Sequence, residues 1–328
     1  MRLPRFLKRS PAGDVTPDGV YRPRFRLRWL GPRHWPTWLG LGVMWLVARL
    51  PRRLRDRLAR GLARLAWRRN GKRRRIADIN LRWCFPELDE AARERMAREH
   101  FYYQMRSLLD LGVLWWGSRA RLDRMVKIEG EEHIRECLNE GRSIILLNGH
   151  TVSIEAGAQA VAGRFPTGAL FKRLRNPLLD YFVARGRSRL GGRLYPRERG
   201  IRPVMRALRG GELAYYSPDE DLGETQNTVF APFFGVPRAT LTALGRMARA
   251  GRAAVLPIMT YLDPATGTYR VVVDPPMDGF PTGDPVEDAR RQNAELERMV
   301  RRAPAQYMWT FRLFQTRPPG EENPYPYG

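Results

Sequence analysis

Hydrophobic and polar positions follow two different patterns along this chain, and the pattern changes near residue 126. Beyond that point, short runs rich in β-branched and aromatic residues alternate with segments of helical periodicity, which predicts strands alternating with helices. Such alternation predicts an α/β domain over residues 126–316, built on a mixed, largely parallel sheet flanked by helices. We expect strands at residues 143–148, 168–173, 212–217, 253–262 and 268–274, and helices at residues 131–140, 153–162, 176–190, 201–209, 240–249 and 288–302.

The segment from residue 76 to 125 has a helical pattern, interrupted at Pro86. Glu87, Asp89 and Glu90 follow the proline. Acidic residues are favoured in the first turn of a helix because they face the positive end of its dipole. A new helix is therefore expected to begin at these acids.

Residues 35–48, WPTWLGLGVMWLVA, form the most apolar stretch and carry no charge. A helix that crosses a bilayer needs about 20 apolar residues, so this one is short. A helix of the protein core is the alternative that length alone leaves open. The tryptophans Trp35, Trp38 and Trp45 favour a position at a membrane interface.

The next segment, residues 51–75, supports the membrane interpretation. It contains twelve Arg and Lys residues against the single acid Asp56. Its leucines recur at intervals that place them on one face of a helix. An apolar face beside a dense cationic face is typical of a helix that lies on anionic headgroups. The leucines concerned are Leu54, Leu58, Leu62 and Leu65.

These patterns divide the chain into five parts. Because arginines also precede the apolar stretch, charge asymmetry does not fix an orientation across a membrane. We expect residues 34–316 to form one structural unit, with the body on the cytoplasmic side. The parts are a basic N-terminal arm (1–33), a membrane anchor helix, inserted or barely spanning (34–50), a basic helical membrane-proximal region (51–125), the α/β domain (126–316) and a Pro/Gly-rich tail (317–328).

Composition narrows the class of protein. A hydrophobic fraction of 43% excludes a disordered chain. The formal charge of +24 indicates an anionic partner, either nucleic acid, an anionic membrane or a phosphorylated substrate, although the strong preference for Arg over Lys can also reflect genome composition. Cys84 and Cys137 are far apart, which argues against a disulfide framework or a zinc site. We also expect no cleavable signal peptide.

Candidate chemistry lies in the stretch LLNGHTVSIEAG, residues 146–157. A strand that ends before Gly149, followed by a helix capped by Thr151 or Ser153, places His150 in the turn and Glu155 in the first helical turn. Glu155 would then be close enough to hold one imidazole nitrogen, which makes the other nitrogen a better base. The spacing alone is weak support, since a histidine before a helix is more often a polar turn residue.

Motifs for other chemistries are missing from the sequence. There is no G-x-S-x-G nucleophile elbow, P-loop or dinucleotide fingerprint, and the four histidines show no metal-ligand spacing. We therefore expect neither a cofactor nor a bound metal. A His–Glu pair without a protein nucleophile suits direct attack by a substrate hydroxyl, with His150 as the general base.

Several longer motifs together resemble the late acyltransferases of lipid A biosynthesis, the lauroyl and myristoyl transferases related to the glycerophosphate acyltransferases in the lysophospholipid acyltransferase superfamily. The resemblance runs in one collinear order from about residue 30 to the C-terminus. It rests on HWPTWLG (34–40), NLRWCFPE (80–87), the H-x4-E of His150 and Glu155, RNPLLDYF (175–182) with Gly186–Arg187, YYSPDEDLG (215–223) and APAQYMWTFRLFQTRPPGE (303–321).

The resemblance implies a glycerophosphate-acyltransferase-like fold. It also implies transfer of a fatty acyl group from acyl carrier protein to a hydroxyl of Kdo2-lipid IVA, or of its acylated product, at the cytoplasmic face of the bacterial inner membrane. Residues 191–203 and 274–279 are similar to the myristoyl branch, whereas Glu155 and the N-terminal third are similar to the lauroyl branch. Lauroyl transfer is our first expectation, and myristoyl or another chain length is the alternative.

The resemblance also assigns roles to individual residues. His150 and Glu155 correspond to the catalytic pair, and Arg187 and Asp219 to residues required for activity. Lys172 lies where relatives often carry Arg, which makes it a second possible phosphate contact. From the residues alone, Arg187 suits a phosphate but equally suits a solvated helix, and Asp219 equally suits an ordinary cap.

Two other classes of function remain open at this stage. Asp219 and Asp221 form a D-x-D that resembles the metal site of a membrane-bound glycosyltransferase. A non-enzymatic basic protein that binds membranes or nucleic acid would also explain the charge. However, the cationic run accompanies an apolar segment and no nucleic-acid motif is present, so we expect no nucleic-acid partner.

Overall fold

The computed structural model describes residues 14–325; residues 1–13 of the predicted basic arm and 326–328 of the predicted tail lie outside the described residues. The described chain begins with an irregular segment, residues 14–26, and is then mainly helical up to Met125. Pro86 separates the third and fourth helices, and the fourth begins among the acids, as predicted. Asp89 caps it by accepting a hydrogen bond from the backbone N–H of Ala92 at 2.6 Å. The helices are α1 (Trp35–Val47), α2 (Arg52–Arg69), α3 (Gly71–Cys84), α4 (Glu90–Trp116) and α5 (Arg119–Met125).

Strands and helices alternate after α5. The strands are β1 (Val126–Glu129), β2 (Ser143–Asn148), β3 (Thr167–Phe171), β4 (Arg193–Pro196), β5 (Leu213–Tyr216), β6 (Thr228–Phe233), β7 (Val236–Leu241), β8 (Ala253–Leu262) and β9 (Tyr269–Val273). The helices between and after them are α6 (Glu131–Asn139), α7 (Ile154–Ala162), α8 (Pro177–Ser188), α9 (Arg202–Arg209), α10 (Ala243–Gly251) and α11 (Pro285–Arg301).

Seven of these strands form one sheet in the order β1-β9-β8-β2-β5-β3-β4. Five neighbouring pairs are parallel, and β8 with β9 is antiparallel. The predicted mixed, largely parallel sheet flanked by helices is therefore confirmed. Its centre is covered on both faces: in β2, Ile145 and Leu147 belong to one buried cluster while Ile144 and Leu146 belong to the other. Burial on both faces explains why β2 reads as an unbroken apolar run.

The sequence did not predict β1, β4 or the β6–β7 hairpin. Strands β1 and β4 have four residues each, too few for a clear pattern. In the hairpin, Pro232 pairs with Pro237, and proline argues against a strand because it lacks the N–H donor. The helix predicted at residues 240–249 begins at Ala243 because the chain up to Leu241 belongs to β7.

A buried charge cluster joins α2 to α4 and the sheet. Arg55 bonds to Asp110, Arg106 bonds to Asp56 and Asp110, and the hydroxyl of Tyr269 donates to Asp110 at 2.7 Å. Arg55 and Asp56 of the basic run therefore face the interior of the protein. The leucines of α2 face outward, between 38% and 46% exposed.

Helix α1 has 13 residues. Within residues 14–325, none of the helices combines the length and apolarity that a bilayer crossing requires. The membrane anchor at residues 34–50 thus stays a prediction, as does the division of the chain into five parts.

Candidate active site

His150 lies in the turn between β2 and α7, as predicted. Gly149 permits the turn to pass close to the core, since a Cβ atom there would lie 2.7 Å from the side chain of Met259. The turn is held from the other side by the segment after α11. The backbone N–H of Met308 donates to the carbonyl of His150 at 2.9 Å, and Thr151 forms an isolated β-bridge with Tyr307. The imidazole is therefore attached to a rigid backbone.

The carboxylate on this imidazole belongs to Asp219, in the loop after β5. Its Oδ1 lies 2.5 Å from Nδ1 of His150, and its Oδ2 accepts the backbone N–H of His150 at 2.6 Å. The hydroxyl of Tyr307 donates to the same Oδ2 at 2.8 Å. Strands β2 and β5 are parallel neighbours, so their carboxyl ends lie together at one edge of the sheet. Nδ1 is therefore the protonated nitrogen, and Nε2 is left to act as a base.

Burial and charge set the protonation of the pair. Asp219 is fully buried, which by itself would raise its pKa, but the His150 ring and its hydrogen bonds lower the pKa of Asp219 to about 2. Burial lowers the pKa of His150, and the Asp219 carboxylate more than compensates, so the pKa of His150 lies above its usual value of 6.5. Burial also raises the pKa of Tyr307 well above its usual value, so Tyr307 stays a neutral donor.

Glu155 lies in the first turn of α7, but it does not hold the imidazole. Its Oε2 forms an ion pair with Nε of Arg187 at 2.9 Å, and its Oε1 accepts from Nε2 of Gln159 at 3.4 Å. The expected contact between His150 and Glu155 is wrong: the helix directs Glu155 towards α8, and Asp219 already occupies Nδ1. The expected cap is also absent, because neither Thr151 nor Ser153 accepts a side-chain cap bond from α7 among the described residues.

The five predicted site residues lie together in the fold. His150, Glu155, Lys172 and Arg187 line one cavity of about 340 Å³, and Asp219 lies directly behind His150. Lys172 follows the end of β3 and is exposed. The side chain of Arg187, near the end of α8, is 39% exposed and its guanidinium lies 5.7 Å from the ring of Phe171. The cavity thus combines one base with four cationic side chains, since Arg193 and Arg197 line it as well.

The cavity follows α7 away from His150. Ile154, Ala158 and Ala162 line it at intervals of four residues, which places them on one face of that helix. Thr167 and Ala169 of β3 line it too. Because helix and strand run in opposite directions here, the cavity extends from the carboxyl edge of the sheet, where His150 lies, towards the amino ends of the strands.

Sequence reasoning missed three residues of this site. Tyr307 supports Asp219, and Glu220 and Arg197 line the cavity in front of His150. Tyr307 lies in the YMWTF segment and Glu220 among the acids of PDED, and both segments belong to the motifs noted in the sequence. Arg197 could not have been chosen, because nothing in the sequence distinguishes it from the many other arginines. Another histidine, His100, plays no part: it is buried against the carbonyl of Ala305, and burial lowers its pKa to about 4.

The D-x-D carboxylates are engaged with protein donors rather than directed at a common point. Asp219 binds His150 and Tyr307, while Asp221 accepts the backbone N–H and hydroxyl of Thr316, both at 2.7 Å. Over residues 14–325, no group of three or more His, Cys, Asp or Glu side chains is placed to hold a metal ion. These contacts weaken the D-x-D interpretation.

Comparison with known proteins supports one family along nearly the whole chain. The family model described as bacterial lipid A biosynthesis acyltransferase matches residues 22–316. A lipid A biosynthesis acyltransferase of Haemophilus influenzae is 35% identical over 303 residues, which are 92% of this chain and 94% of the relative. In Escherichia coli, the lipid A biosynthesis lauroyltransferase is 34% identical over 92% of this chain and 99% of its own length, and the myristoyltransferase is 36% identical over 94% and 95%. This chain belongs to the bacterial lipid A biosynthesis acyltransferase family, and it is therefore an acyltransferase of lipid A biosynthesis.

Proposed function

We propose that this enzyme moves a fatty acyl chain, lauroyl in the first instance, from acyl carrier protein to a hydroxyl of Kdo2-lipid IVA. Transfer of myristoyl or another chain length by the same mechanism is the alternative. The observation that carries the proposal is the orientation of His150, whose Nδ1 is held by Asp219 while the ring lines the cavity. A buried carboxylate on Nδ1 is the arrangement that makes Nε2 an effective general base.

The reaction follows from that orientation. Nε2 accepts the proton of the acceptor hydroxyl as its oxygen attacks the thioester carbonyl. The tetrahedral intermediate then collapses, the carbon–sulfur bond breaks, and the departing sulfur takes the proton from Nε2. The products are an ester and a free thiol, and His150 returns to its starting state. Asp219 stabilises the imidazolium between the two proton transfers.

The Glu155–Arg187 ion pair has a binding role in this scheme. Arg187 presents a guanidinium to the cavity, and Glu155 holds it at 2.9 Å. Guanidinium groups match phosphate oxygens, which both proposed substrates carry. Lys172 lines the cavity nearby and adds a second cation for the same class of group. Glu155 therefore remains a residue that activity requires, but through Arg187 rather than through His150.

The apolar stripe of α7 suits the acyl chain. From Ile154 to Ala162 the helix rises about 12 Å. The small side chains of Ala158 and Ala162 leave the space that a straight chain would fill. The stripe therefore offers an apolar wall for the hydrocarbon chain of the donor.

An exposed apolar surface supports action at a membrane. Trp35, Leu39, Val43 and Leu46 follow one side of α1, between 51% and 71% exposed. The leucine stripe of α2 adds to it, beside many arginines. We propose that this surface lies in the anionic headgroup region of the cytoplasmic face of the inner membrane.

The apolar surface is connected to the site. The side-chain amide of Asn176, which caps α8, donates to the hydroxyl of Thr37 of α1 at 2.8 Å. The rings of Trp38 and Phe182 also meet, with centroids 5.5 Å apart. Helix α8 also contributes Arg187 to the cavity, and Lys172 precedes this helix at the end of β3. The exposed apolar surface of α1 therefore lies next to an element that lines the cavity. A lipid acceptor would thus reach the cavity without leaving the bilayer surface.

A membrane-bound metal-dependent glycosyltransferase is the alternative of another class. It would need a divalent ion and a sugar nucleotide, so acyl transfer that survives excess EDTA removes it. A non-enzymatic basic protein would leave the composition of lipid A unchanged whether or not it is present.

Mass spectrometry of lipid A from a strain with and without this protein tests the proposal. We expect the strain that lacks it to lose one acyl group, whose mass reports the chain length. Reintroduced His150→Ala protein should remain folded and membrane-associated but should not restore that group, because only the base is lost. Near-normal restoration by His150→Ala would contradict the mechanism, and identical lipid A in both strains would contradict the function.

A further inference from the structure

A second carboxylate lies in front of the imidazole. Oε1 of Glu220 is 3.8 Å from Nε2 of His150, the nitrogen that faces the substrates. The other oxygen of Glu220 accepts a hydrogen bond from a terminal nitrogen of Arg197 at 2.6 Å. All three residues line the cavity. The base is therefore enclosed by two acids, of which only Asp219 belongs to the pair already described.

The fold places this ion pair at the carboxyl edge of the sheet. Glu220 directly follows Asp219 in the loop after β5, so consecutive residues meet opposite sides of one ring. Arg197 begins the short 3₁₀ turn after β4. The two acids differ in exposure, since Asp219 is fully buried while the side chain of Glu220 is 29% exposed. Glu220 therefore belongs to the substrate side.

The distance of 3.8 Å has a chemical consequence. It is too long for a hydrogen bond, so the lone pair of Nε2 stays available to a substrate hydroxyl. It is short enough for a strong interaction between charges, because an opposite charge within about 4–6 Å stabilises the ionised form of a group. Glu220 therefore favours the imidazolium that forms during the reaction without blocking the neutral base.

Arg197 maintains that distance. A free glutamate side chain beside an imidazolium would rotate until it accepted the Nε2 proton, and the base would then be held in its protonated form. The bond to Arg197 draws the carboxylate the other way. The positive charge of Arg197 also opposes the effect of Glu220 on the ring, so the two residues act on the base in opposite directions.

Other charged groups act on the same ring. Burial lowers the pKa of His150, Asp219 and Glu220 raise it, and Arg197 lowers it, with a net result above the usual value. From the remaining elements, Tyr307 after α11 and Arg238 of β7 act on the partner carboxylate. The other charged residues that line the same cavity are Glu155 of α7, Lys172 after β3, Arg187 of α8 and Arg193 of β4.

We propose that Glu220 and Arg197 are positioning residues: Arg197 holds the carboxylate of Glu220 beside Nε2 but out of hydrogen-bonding distance, and together they set the base strength of His150. This rests on the proposed role of His150 as the general base. The pair thus keeps the nitrogen available before the reaction and stabilises its charge during it.

The test is the pH dependence of kcat/KM for Glu220→Gln, Arg197→Gln and a control variant, each made in the full chain. The acid limb of that profile is the range in which activity rises with pH as His150 loses its proton. Glu220→Gln removes a negative charge and destabilises the imidazolium, so the acid limb should move to lower pH by about one unit. Arg197→Gln removes a positive charge, so the acid limb should move to higher pH by a similar amount. Shifts of opposite sign from two partners of one ion pair would not follow from a general loss of structure.

The chain offers a matched control. Glu129 of β1 and Arg270 of β9 form an ion pair at 2.8 Å, and neither residue lines the cavity. Glu129→Gln should leave the acid limb unmoved. A second readout avoids turnover altogether: the titration of His150 in NMR spectra, assigned by loss of its signal in His150→Asn, should follow the same two directions.

The outcomes separate this proposal from the proposed function. If His150→Ala is inactive but neither Glu220→Gln nor Arg197→Gln moves the acid limb or the NMR titration, the positioning role is wrong while the general base stands. Shifts of the same sign would also overturn it. If His150→Ala retains turnover, the proposed mechanism fails first, and the NMR titration alone then decides whether the pair acts on the ring.

Discussion

Two carboxylates near this cavity have similar sets of partners, and we propose different roles for them. Each carboxylate has one basic side chain and one neutral hydrogen-bond donor as partners. For Asp219 these are His150 and Tyr307. For Glu155 they are Arg187 and Gln159. Asp219 is fully buried and its partner's side chain is 18% exposed. Glu155 is nearly buried, but the side chain of Arg187 is 39% exposed.

We propose that the difference in burial assigns Asp219 to the chemical step and Glu155 to substrate binding. A buried carboxylate against an imidazole fixes a tautomer and stabilises a charge that appears only during the reaction, which lowers the barrier. A permanently charged guanidinium at the open side of a cavity attracts an anion equally before and during the reaction, which strengthens binding. Comparing variants of the two carboxylates tests this division.

The largest effect is expected for Asp219→Asn. The amide keeps the shape of the carboxylate but not its charge, so the correct tautomer and the stabilised imidazolium are both lost. We expect kcat to fall on the order of 10³- to 10⁴-fold. The remaining activity should begin at lower pH than in the wild type, because loss of the negative charge lowers the pKa of His150. In the wild type, activity should appear only as pH rises through a pKa above 6.5.

Circular dichroism and a thermal melt control for folding of this variant. The double variant with His150→Ala adds a second check, since the two residues act as one unit and the losses should not multiply. A kcat for Asp219→Asn within a few-fold of the wild type would mean that Asp219 only supports the turn.

Glu155→Gln should cost less. Loss of a charge-assisted hydrogen bond amounts to roughly 1.5–3 kcal/mol, or about 10- to 100-fold. We expect the loss mainly in KM for a phosphorylated substrate, because Arg187 is no longer held in place. The acid limb should move less than in Asp219→Asn.

Glu155→Asp is the matched control, because it keeps the charge and should recover part of the activity. If Glu155→Gln instead reproduced the kcat loss and acid-limb shift of Asp219→Asn, the result would support the sequence-based assignment of Glu155 as the catalytic partner of His150.

The two acids also show which parts of the site could be predicted from the sequence. The strand–turn–helix around His150 was predictable because apolar runs and helical periodicity are local signals. The cavity residues Lys172 and Arg187 came from motif resemblance rather than periodicity. The partner of His150 was not predictable from spacing, since Asp219 is 69 residues away in sequence and reaches the ring only because β2 and β5 pair.

Short and proline-containing strands were missed for a different reason. Four residues in β1 or β4 are too few to show alternation, and Pro232 and Pro237 hide the hairpin. The neutral partner Tyr307 was hidden too, because a tyrosine in an aromatic segment looks like a core residue until the loop after α11 is placed against the turn of His150.

Tyr307→Phe is the variant for which we expect the smallest effect, and it refines the comparison between Asp219 and Glu155. The ring stays packed against Trp309, with centroids 5.1 Å apart, so the fold should tolerate the change. Only the hydrogen bond to Oδ2 of Asp219 is lost, which is worth about 0.5–1.5 kcal/mol, or roughly two- to tenfold in kcat. Gln159→Leu removes the corresponding neutral donor from Glu155 and should instead act mainly on KM.

Measurement of kcat and KM for both variants decides whether the parallel between the two carboxylates holds. A loss in Tyr307→Phe as large as in Asp219→Asn would mean that the phenol takes part in the chemistry itself. A change in KM alone would mean that it orders the substrate side of the turn. A modest fall in kcat with KM unchanged is the result that follows if Tyr307 acts only by holding the acid that holds the base.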